Sequence, residues 1–491
     1  MTATERSRWI ALYVLCTGML MIVLDVTVVN VALPYVQTDL GFSSANLAWV
    51  VNSYLIAFGG LLLLAGRLGD LLGRRRLFLA GLAIFSVASM ACGLAQNELT
   101  LVIARFVQGA GGALTSAVIL GMIVTMFPEQ REQAKAIGVF AFVASAGGAV
   151  GLLAGGVLTQ AINWHWIFFI NVPIGIATAV LARRYVSPER GSGLTGGIDV
   201  SGALLVTAAL MLGVYTIVGP AAEQGWTSGR TLGFSALSVL LLVLFVIREA
   251  RAANPLMPLR IFRSRNVCGA NLVQVLGAAG MFGTFFLGAL YLQKVLGYGP
   301  LEIGFAFLPV TVLMGTVSVR YSERLAARFK PRSVCTAGLL AIACALALLA
   351  LTPTHGSYWL HLFPALSLAG LGAGTCFPTV MGLAMSGATP EDAGLASGLI
   401  NTTGQVGGAL GLAVLATVTS ARTAHLSAAG HSPAAALTGG YHLGFWLCSA
   451  LILLAAVIAL TVLVAPGAAA EAQLVAEAER ELDSLPQGVP S

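Results

Sequence analysis

The sequence has little charge. Asp, Glu, Lys and Arg together make up 9% of its 491 residues, against about 25% in an ordinary soluble domain. A chain this long cannot cover a globular surface with so few charges, and needs lipid as its solvent. Lysine is nearly missing: only Lys135, Lys294 and Lys330 occur, and none follows a glycine. A glycine-rich loop closed by lysine, which would cradle a nucleotide's phosphates, is therefore excluded. There is no HExxH and no pair of histidines at ligand spacing; His361, His425 and His442 are scattered near the ends of apolar runs. The seven cysteines (Cys16, Cys92, Cys268, Cys335, Cys344, Cys376, Cys448) all fall in apolar runs, and none forms a CxxC. That pattern indicates neither a metal site nor a disulfide framework, and the cysteines read as small packing residues. With no convergent catalytic group, the expectation is a chain that is not an enzyme, with no cofactor and no metal.

What the chain has is hydrophobic residue, 57% of the total. Each membrane helix needs about 20 mostly apolar residues, and fourteen such runs can be read: 10–33, 47–65, 77–95, 99–126, 136–160, 166–182, 200–218, 231–247, 267–292, 303–319, 334–352, 360–384, 395–418 and 440–464. Helices are expected because hydrocarbon leaves only helices and closed barrels free of unpaired backbone groups. Barrel strands would alternate polar and apolar residues, and these runs are apolar throughout. The first run is too long for a signal-peptide core and lacks an A-x-A site, so it reads as a span.

The net charge of +6 does not point to nucleic acid, because of where it sits. Twenty-two of the 26 Lys and Arg residues fall on the side of the termini, only Arg230, Lys294 and Arg422 fall on the other, and Arg105 lies within a span. By the positive-inside rule both termini are expected in the cytoplasm. The Ala- and Glu-rich stretch 465–491 reads as a short solvated tail.

Two internal echoes suggest duplication. Gly147-Gly148-Ala149-Val150-Gly151-Leu152 recurs as Gly407-Gly408-Ala409-Leu410-Gly411-Leu412, and Arg67-x-x-Asp70 recurs as Arg320-x-x-Glu323. Both offsets pair spans one to six with spans nine to fourteen. The expected organisation is a six-helix half (1–183), a linker (184–199), two inserted helices (200–247), a loop (248–266), a second six-helix half (267–464) and the tail. Internal repeats of this kind are common in secondary transporters, with the substrate site near the midplane between them.

Four features carry candidate chemistry. Asp25 sits deep in the first run, where a carboxylate costs about 2.5–3.5 kcal/mol and usually faces a cavity or a partner. Burial disfavours its charged form, so it can take up and release a proton; alternatively it is a structural Asp satisfied by Thr or Asn neighbours. Arg105 stands in Arg105-x-x-Gln108-Gly109-x-Gly111-Gly112 and needs an acidic or carbonyl partner, as a participant in proton coupling or as an anchor. Asn30 and Gln108 are candidates to line a cavity. The turn Gly66–Arg76, with Gly66, Asp70, Gly73, Arg74 and Arg75, reads as a conformational latch or as a topogenic cluster. Finally, Gly147, Gly151 and Gly155, beside Gly148 and Gly156, make a flat stripe for a neighbouring helix, suited to a sliding interface between halves.

Together these segments resemble the major facilitator superfamily, specifically its fourteen-span drug/proton antiporter branch (the EmrB/QacA type). Leu24–Pro34, Gly66–Arg76, Arg105–Gly112 and Gly147–Gly156 match that family's motifs. Trp164–Pro173, Asp199 and Gly398–Gly411 also look typical of it. The resemblance implies an all-α membrane fold of two six-helix halves plus two inserted helices. It further implies export of a lipophilic small molecule in exchange for protons, by a monomer in a bacterial cell membrane. By position, Asp25 would be the coupling carboxylate with Arg105 assisting it, Asp70, Arg74 and Arg75 the latch, and the span-five glycines the antiport determinant. Three departures stand out: Leu71 where the family usually has Arg, Leu152 where it usually has Pro, and His165 where Arg is common. A proton-coupled importer of the same fold, or a membrane sensor that transports nothing, are the alternatives.

Overall fold

In the computed structural model of the chain, the described residues are 3–43, 46–127, 129–188, 199–252, 255–321, 325, 328–386 and 393–464. The side chains of Asp70 and of several residues in the first half of α5 fall outside that set, as do Glu323 and the tail 465–491.

Among the described residues, fourteen helical segments are candidates to cross the membrane. They are α1 (Ala3–Leu40), α2 (Trp49–Leu72), α3 (Arg74–Gly93), α4 (Glu98–Met126), α5 (Gln130–Ala161), α6 (Trp166–Tyr185), α7 (Val200–Val218) and α8 (Gly229–Arg251), followed by α9 (Arg265–Lys294), α10 (Pro300–Arg320), α11 (Pro331–Leu349), α12 (Tyr358–Ser386), α13 (Ala393–Ala428) and α14 (Pro433–Thr461). Thirteen of these are long and apolar enough to cross a membrane; in α5 the apolar described stretch is Gly147–Ala161, within a helix of 32 residues. The run expected at 166–182 is broken, a four-residue piece (Trp166–Phe169) preceding Asn171–Tyr185. The one expected at 303–319 is continuous.

Local chemistry explains where the helices start. Side chains of Asn97, Asp199, Ser228, Ser264 and Ser432 each accept the backbone N–H three residues on, opening α4, α7, α8, α9 and α14. Proline begins α10, α11 and α14, where its missing N–H leaves no bond unmade. Gly73 alone separates α2 from α3, at φ 96°, a conformation that only glycine adopts without cost.

Helices α1–α6 pack on one another and α9–α14 do likewise, while α7 and α8 pair together with α7 laid against α2 and α13. Two seams join the groups, α5 on α10 and α2 on α13, with a lesser contact of α1 on α9. The sequence echoes relate these seams, since α5 corresponds to α13 and α2 to α10. At the side away from the termini the groups are bonded directly. Lys294 Nζ donates to Gln37 Oε1 at 2.5 Å, and the Leu301 N–H to Gln160 Oε1 at 3.3 Å.

The glycine stripe of α5 divides its contacts. Gly147, Gly151 and Gly155 lie against α1, within the same group; a Cβ at Gly155 would come 2.9 Å from the Val28 carbonyl oxygen. Gly148 and Gly156 instead face α10, near Thr311 and Leu301. The four-residue spacing thus keeps Gly147, Gly151 and Gly155 on the α1 face, inside the first group, and leaves Gly148 and Gly156 to meet the other half. Gly407 and Gly411 of α13 seat α9 in the same way, against Val275 and Ala279. α5 runs unbroken through Leu152, which is buried, and whose carbonyl oxygen abuts Gly304 of α10.

Two outcomes follow. Gly155→Ala forces α1 and α5 apart and lowers the melting temperature in detergent. Gly66→Ala, with nothing within 4 Å of the added carbon, is neutral or stabilising by up to about 1 kcal/mol. At the start of α7, Asp199 is buried, which alone would raise its pKa. The Gly202 N–H, the Ser201 hydroxyl and Arg248 at 3.2 Å outweigh burial and hold the carboxyl below the usual range. Its stabilising contribution is complete above the ordinary Asp value of about 4 and is lost as pH falls from there through the lower folded value. Asp199→Ala costs about 0.5–2 kcal/mol at neutral pH, and thermal scans of wild type and variant converge in acid.

Candidate functional site: a buried ion pair inside the first six helices

α1 brings Asp25 to the interior, where it is 1% exposed. The residue is held on both oxygens. Arg105 of α4, equally buried, donates Nη1 to Asp25 Oδ2 at 2.5 Å. Gln108, one turn further along α4, donates its amide to Asp25 Oδ1 at 2.6 Å, and Asn171, at the break in α6, donates to the same oxygen at 3.0 Å. Arg105 is anchored in turn: Nε reaches the Val50 carbonyl of α2 at 2.9 Å, and Nη1 also reaches Gln108 Oε1 at 2.6 Å. Its guanidinium carbon lies 4.4 Å from the centre of the Tyr54 ring, a cation–π contact that gains strength when desolvated. Ser89 of α3 takes a further bond from Gln108 at 2.7 Å. One cluster therefore draws on α1, α2, α3, α4 and α6. Close approach of backbones permits it: a Cβ at Gly109 would meet the Tyr54 carbonyl oxygen at 2.3 Å.

Two buried polar atoms beside the pair, Tyr54 Oη and Asn171 Oδ1, have no hydrogen-bond partner. Among the described residues no group of three or more His, Cys, Asp or Glu is arranged to hold a metal ion, and all seven cysteines are free.

Residues 15–412 match the profile of the Major Facilitator Superfamily. The chain belongs to that superfamily. Among its relatives, the puromycin resistance protein pur8 of Streptomyces alboniger is 41% identical, over 92% of this chain and 90% of the relative. The cephamycin export protein CmcT of Amycolatopsis lactamdurans is 39% identical, over 86% and 87%. The tetracenomycin C resistance and export protein of Streptomyces glaucescens is 37% identical, over 84% and 76%. Among solved structures, a bacterial homologue of the lysosomal transporter Spinster, in an inward-facing and unoccupied conformation, superposes with a TM-score of 0.64 at 17% identity, covering 92% of this chain and 96% of that one. At that identity the likeness concerns the fold.

Within this facilitator fold the sequence-selected residues part into groups. Asp25 and Arg105 meet each other. Gln108, expected on a cavity wall, belongs to their cluster and is fully buried; Asn30 is also buried, its amide bonded to Val26 O one turn back at 3.1 Å. In the latch segment, Arg74 donates to the Gly121 carbonyl on α4 at 3.2 Å, and Arg75 to the Arg183 carbonyl ending α6 at 2.5 Å. These two bonds stay within the first group of helices; the Asp70 side chain lies outside the described residues. His165 is half-buried and stacked on Trp164 at 3.8 Å. Burial, partly offset by Asp39, holds its imidazolium below the ordinary histidine range.

Asn171, Tyr54 and Ser89 were not singled out from sequence. Asn171 had a signal, as a polar residue within the apolar run Ile167–Val172; the other two had none.

Removing one member of a buried ion pair strands the other, at a cost of roughly 3–5 kcal/mol. Arg105→Gln is expected to lose stability on that scale in detergent thermal unfolding. Asp25→Asn with Arg105→Gln should lose clearly less than the two single losses added. Strict additivity would mean that the two side chains are not coupled.

Proposed function

We propose that this protein exports lipophilic antibiotics or related drugs across a bacterial cytoplasmic membrane in exchange for protons. Both termini lie in the cytoplasm, as the arginine distribution indicates. The observation that carries the coupling is the Asp25–Arg105 pair: a carboxylate sealed in the membrane region, with its cation and two amides arranged around the ionised form. The export direction is supported by the relatives named for resistance and export, each matched over most of its length.

The ionised carboxylate ties α1 to α4 and α6. A proton on Asp25 neutralises one partner of Arg105, which keeps the Val50 carbonyl and Gln108, and the tie weakens. Tyr54 Oη and Asn171 Oδ1, both without a hydrogen-bond partner, leave polar capacity beside the pair that can be taken up when the tie loosens. α1 is locked to α5 by the glycine stripe, and α5 bears on α10 through Gly148, Leu152 and Gly156. A shift of α1 is thereby passed to the seam between the halves. Drug and proton need not meet at Asp25, because they favour opposite arrangements of that seam. One proton charge moving down 100 mV supplies about 2.3 kcal/mol before any pH gradient.

Energised everted vesicles carrying a pH-gradient dye test this reading. Hydrophobic antibiotics added to wild type are expected to release part of the gradient, and the same additions to Asp25→Asn are expected to release none. Release by both would place the proton site elsewhere. Accumulation of the drug in intact cells on expression would favour an importer.

A further inference from the structure

α3 and α6 meet along a groove of about 330 Å³ on the outer surface of the bundle. Its walls are Leu82, Val87 and Met90 of α3 and Val172, Ile176 and Val180 of α6, and one end is lined by Arg183. Val87 (70% exposed), Val180 (61%) and Ile176 (59%) are among the more exposed large apolar side chains of the protein. In a membrane-spanning chain these groups meet acyl chains, not water. From Val172 to Arg183 the helix rises about 16 Å, roughly half of the ~30 Å hydrocarbon core. The groove therefore spans one leaflet and ends at the headgroup level on the side of the termini.

That end is basic. Arg183 and Arg184 close α6, and Arg75 and Arg76 open α3. The Arg75 bond to the Arg183 carbonyl fixes the two pairs together, while Arg76, Arg183 and Arg184 remain exposed. Guanidinium groups match phosphate oxygens in geometry as well as charge, and basic pockets between membrane helices on the cytoplasmic side suit anionic headgroups.

The floor of the groove leads to the ion pair. Gly175 lies so close to Ser86 that a Cβ would fall 2.0 Å from the hydroxyl oxygen. On α3, one turn from Ser86, is Ser89, which holds Gln108; on α6, next to Val172, is Asn171, which holds Asp25.

We propose that this groove seats one acyl chain of an anionic phospholipid, with its phosphate on Arg183 and the neighbouring arginines, and that the seated lipid fixes the spacing of α3 and α6. Asn171 and Ser89 are thereby kept on the Asp25 cluster, so proton exchange depends on the lipid. This second half rests on the proton-coupled reading above.

The test uses the full-length protein, delipidated in detergent, and native mass spectrometry with phosphatidylglycerol and phosphatidylcholine. Three proteins are compared: wild type, Arg183→Gln with Arg184→Gln, and Ala83→Trp, which fills the groove without touching charge. Wild type is expected to retain phosphatidylglycerol preferentially. The arginine variant should lose about fivefold in that preference per charge removed, and Ala83→Trp should retain less of both lipids. Equal retention by all three proteins overturns the site, as does displacement of the lipid by a lipophilic dye from wild type alone, which would make the groove a drug subsite. In proteoliposomes, drug-triggered proton release by wild type should be faster with phosphatidylglycerol than with phosphatidylcholine alone, and release by Ala83→Trp should not depend on the lipid. Selective binding with lipid-independent release by wild type overturns the positioning role. Selective binding with no release in either lipid leaves the site standing and removes the proton-coupled reading.

Discussion

The structure of the first six helices hangs on two opposite charges held out of water. Neither Asp25 nor Arg105 is tolerable alone at that depth, and at 2.5 Å they satisfy each other. The remaining lone pairs and N–H groups determine much of what surrounds them. Asp25 Oδ1 requires donors, and Gln108 and Asn171 supply them; Arg105 Nε requires an acceptor, and the Val50 carbonyl supplies it. Each requirement recruits a different helix, so the pair sets the relative positions of α1, α2, α4 and α6 where hydrophobic attraction between helices is weak.

Small residues convert that local tie into a long one. α5 has its three-glycine face on α1 and its other glycines on α10. It therefore belongs mechanically to the charged cluster on one side and to the opposite half on the other. The mirrored arrangement in α13, seated on α9 and facing α2, contains no counterpart of Asp25: α9 carries charge only at its ends, in Arg265 and Lys294. The packing of the two seams is alike, and among the described residues the buried Asp–Arg pair lies in the first group of helices.

Hydropathy made the fourteen spans legible because lipid permits no alternative to closed backbone bonding, and that constraint acts on each segment separately. The same holds for Asp25 and Arg105, whose isolation in apolar sequence marks them. Their direct contact is not legible in the residues themselves, since 80 positions separate them and no local pattern encodes a contact between α1 and α4; only the family resemblance links their roles. Gln108 shows the limit from the other side: its polarity within a span was visible, but whether it faced a cavity or a charge depended on the rotation of α4. The glycine stripe likewise announced close packing without naming the helix it packs on. Asn171 is visible as a polar residue in an apolar run, but that its amide reaches Asp25 depends on how α6 is rotated against α1.

The burial of Asp25 also bears on what the transporter recognises. A carboxylate that is 1% exposed and bonded on both oxygens has nothing left with which to select a cationic drug. Pairing it with a substrate would require Arg105 to be abandoned in a low dielectric, at a cost comparable to breaking any buried ion pair. In this arrangement Asp25 does not offer a cationic ligand a free carboxylate. Under the proposed exchange, coupling is then mechanical: a proton on Asp25 would change how firmly α1 is held, and α5, seated on α1 and bearing on α10, would carry that change to the seam.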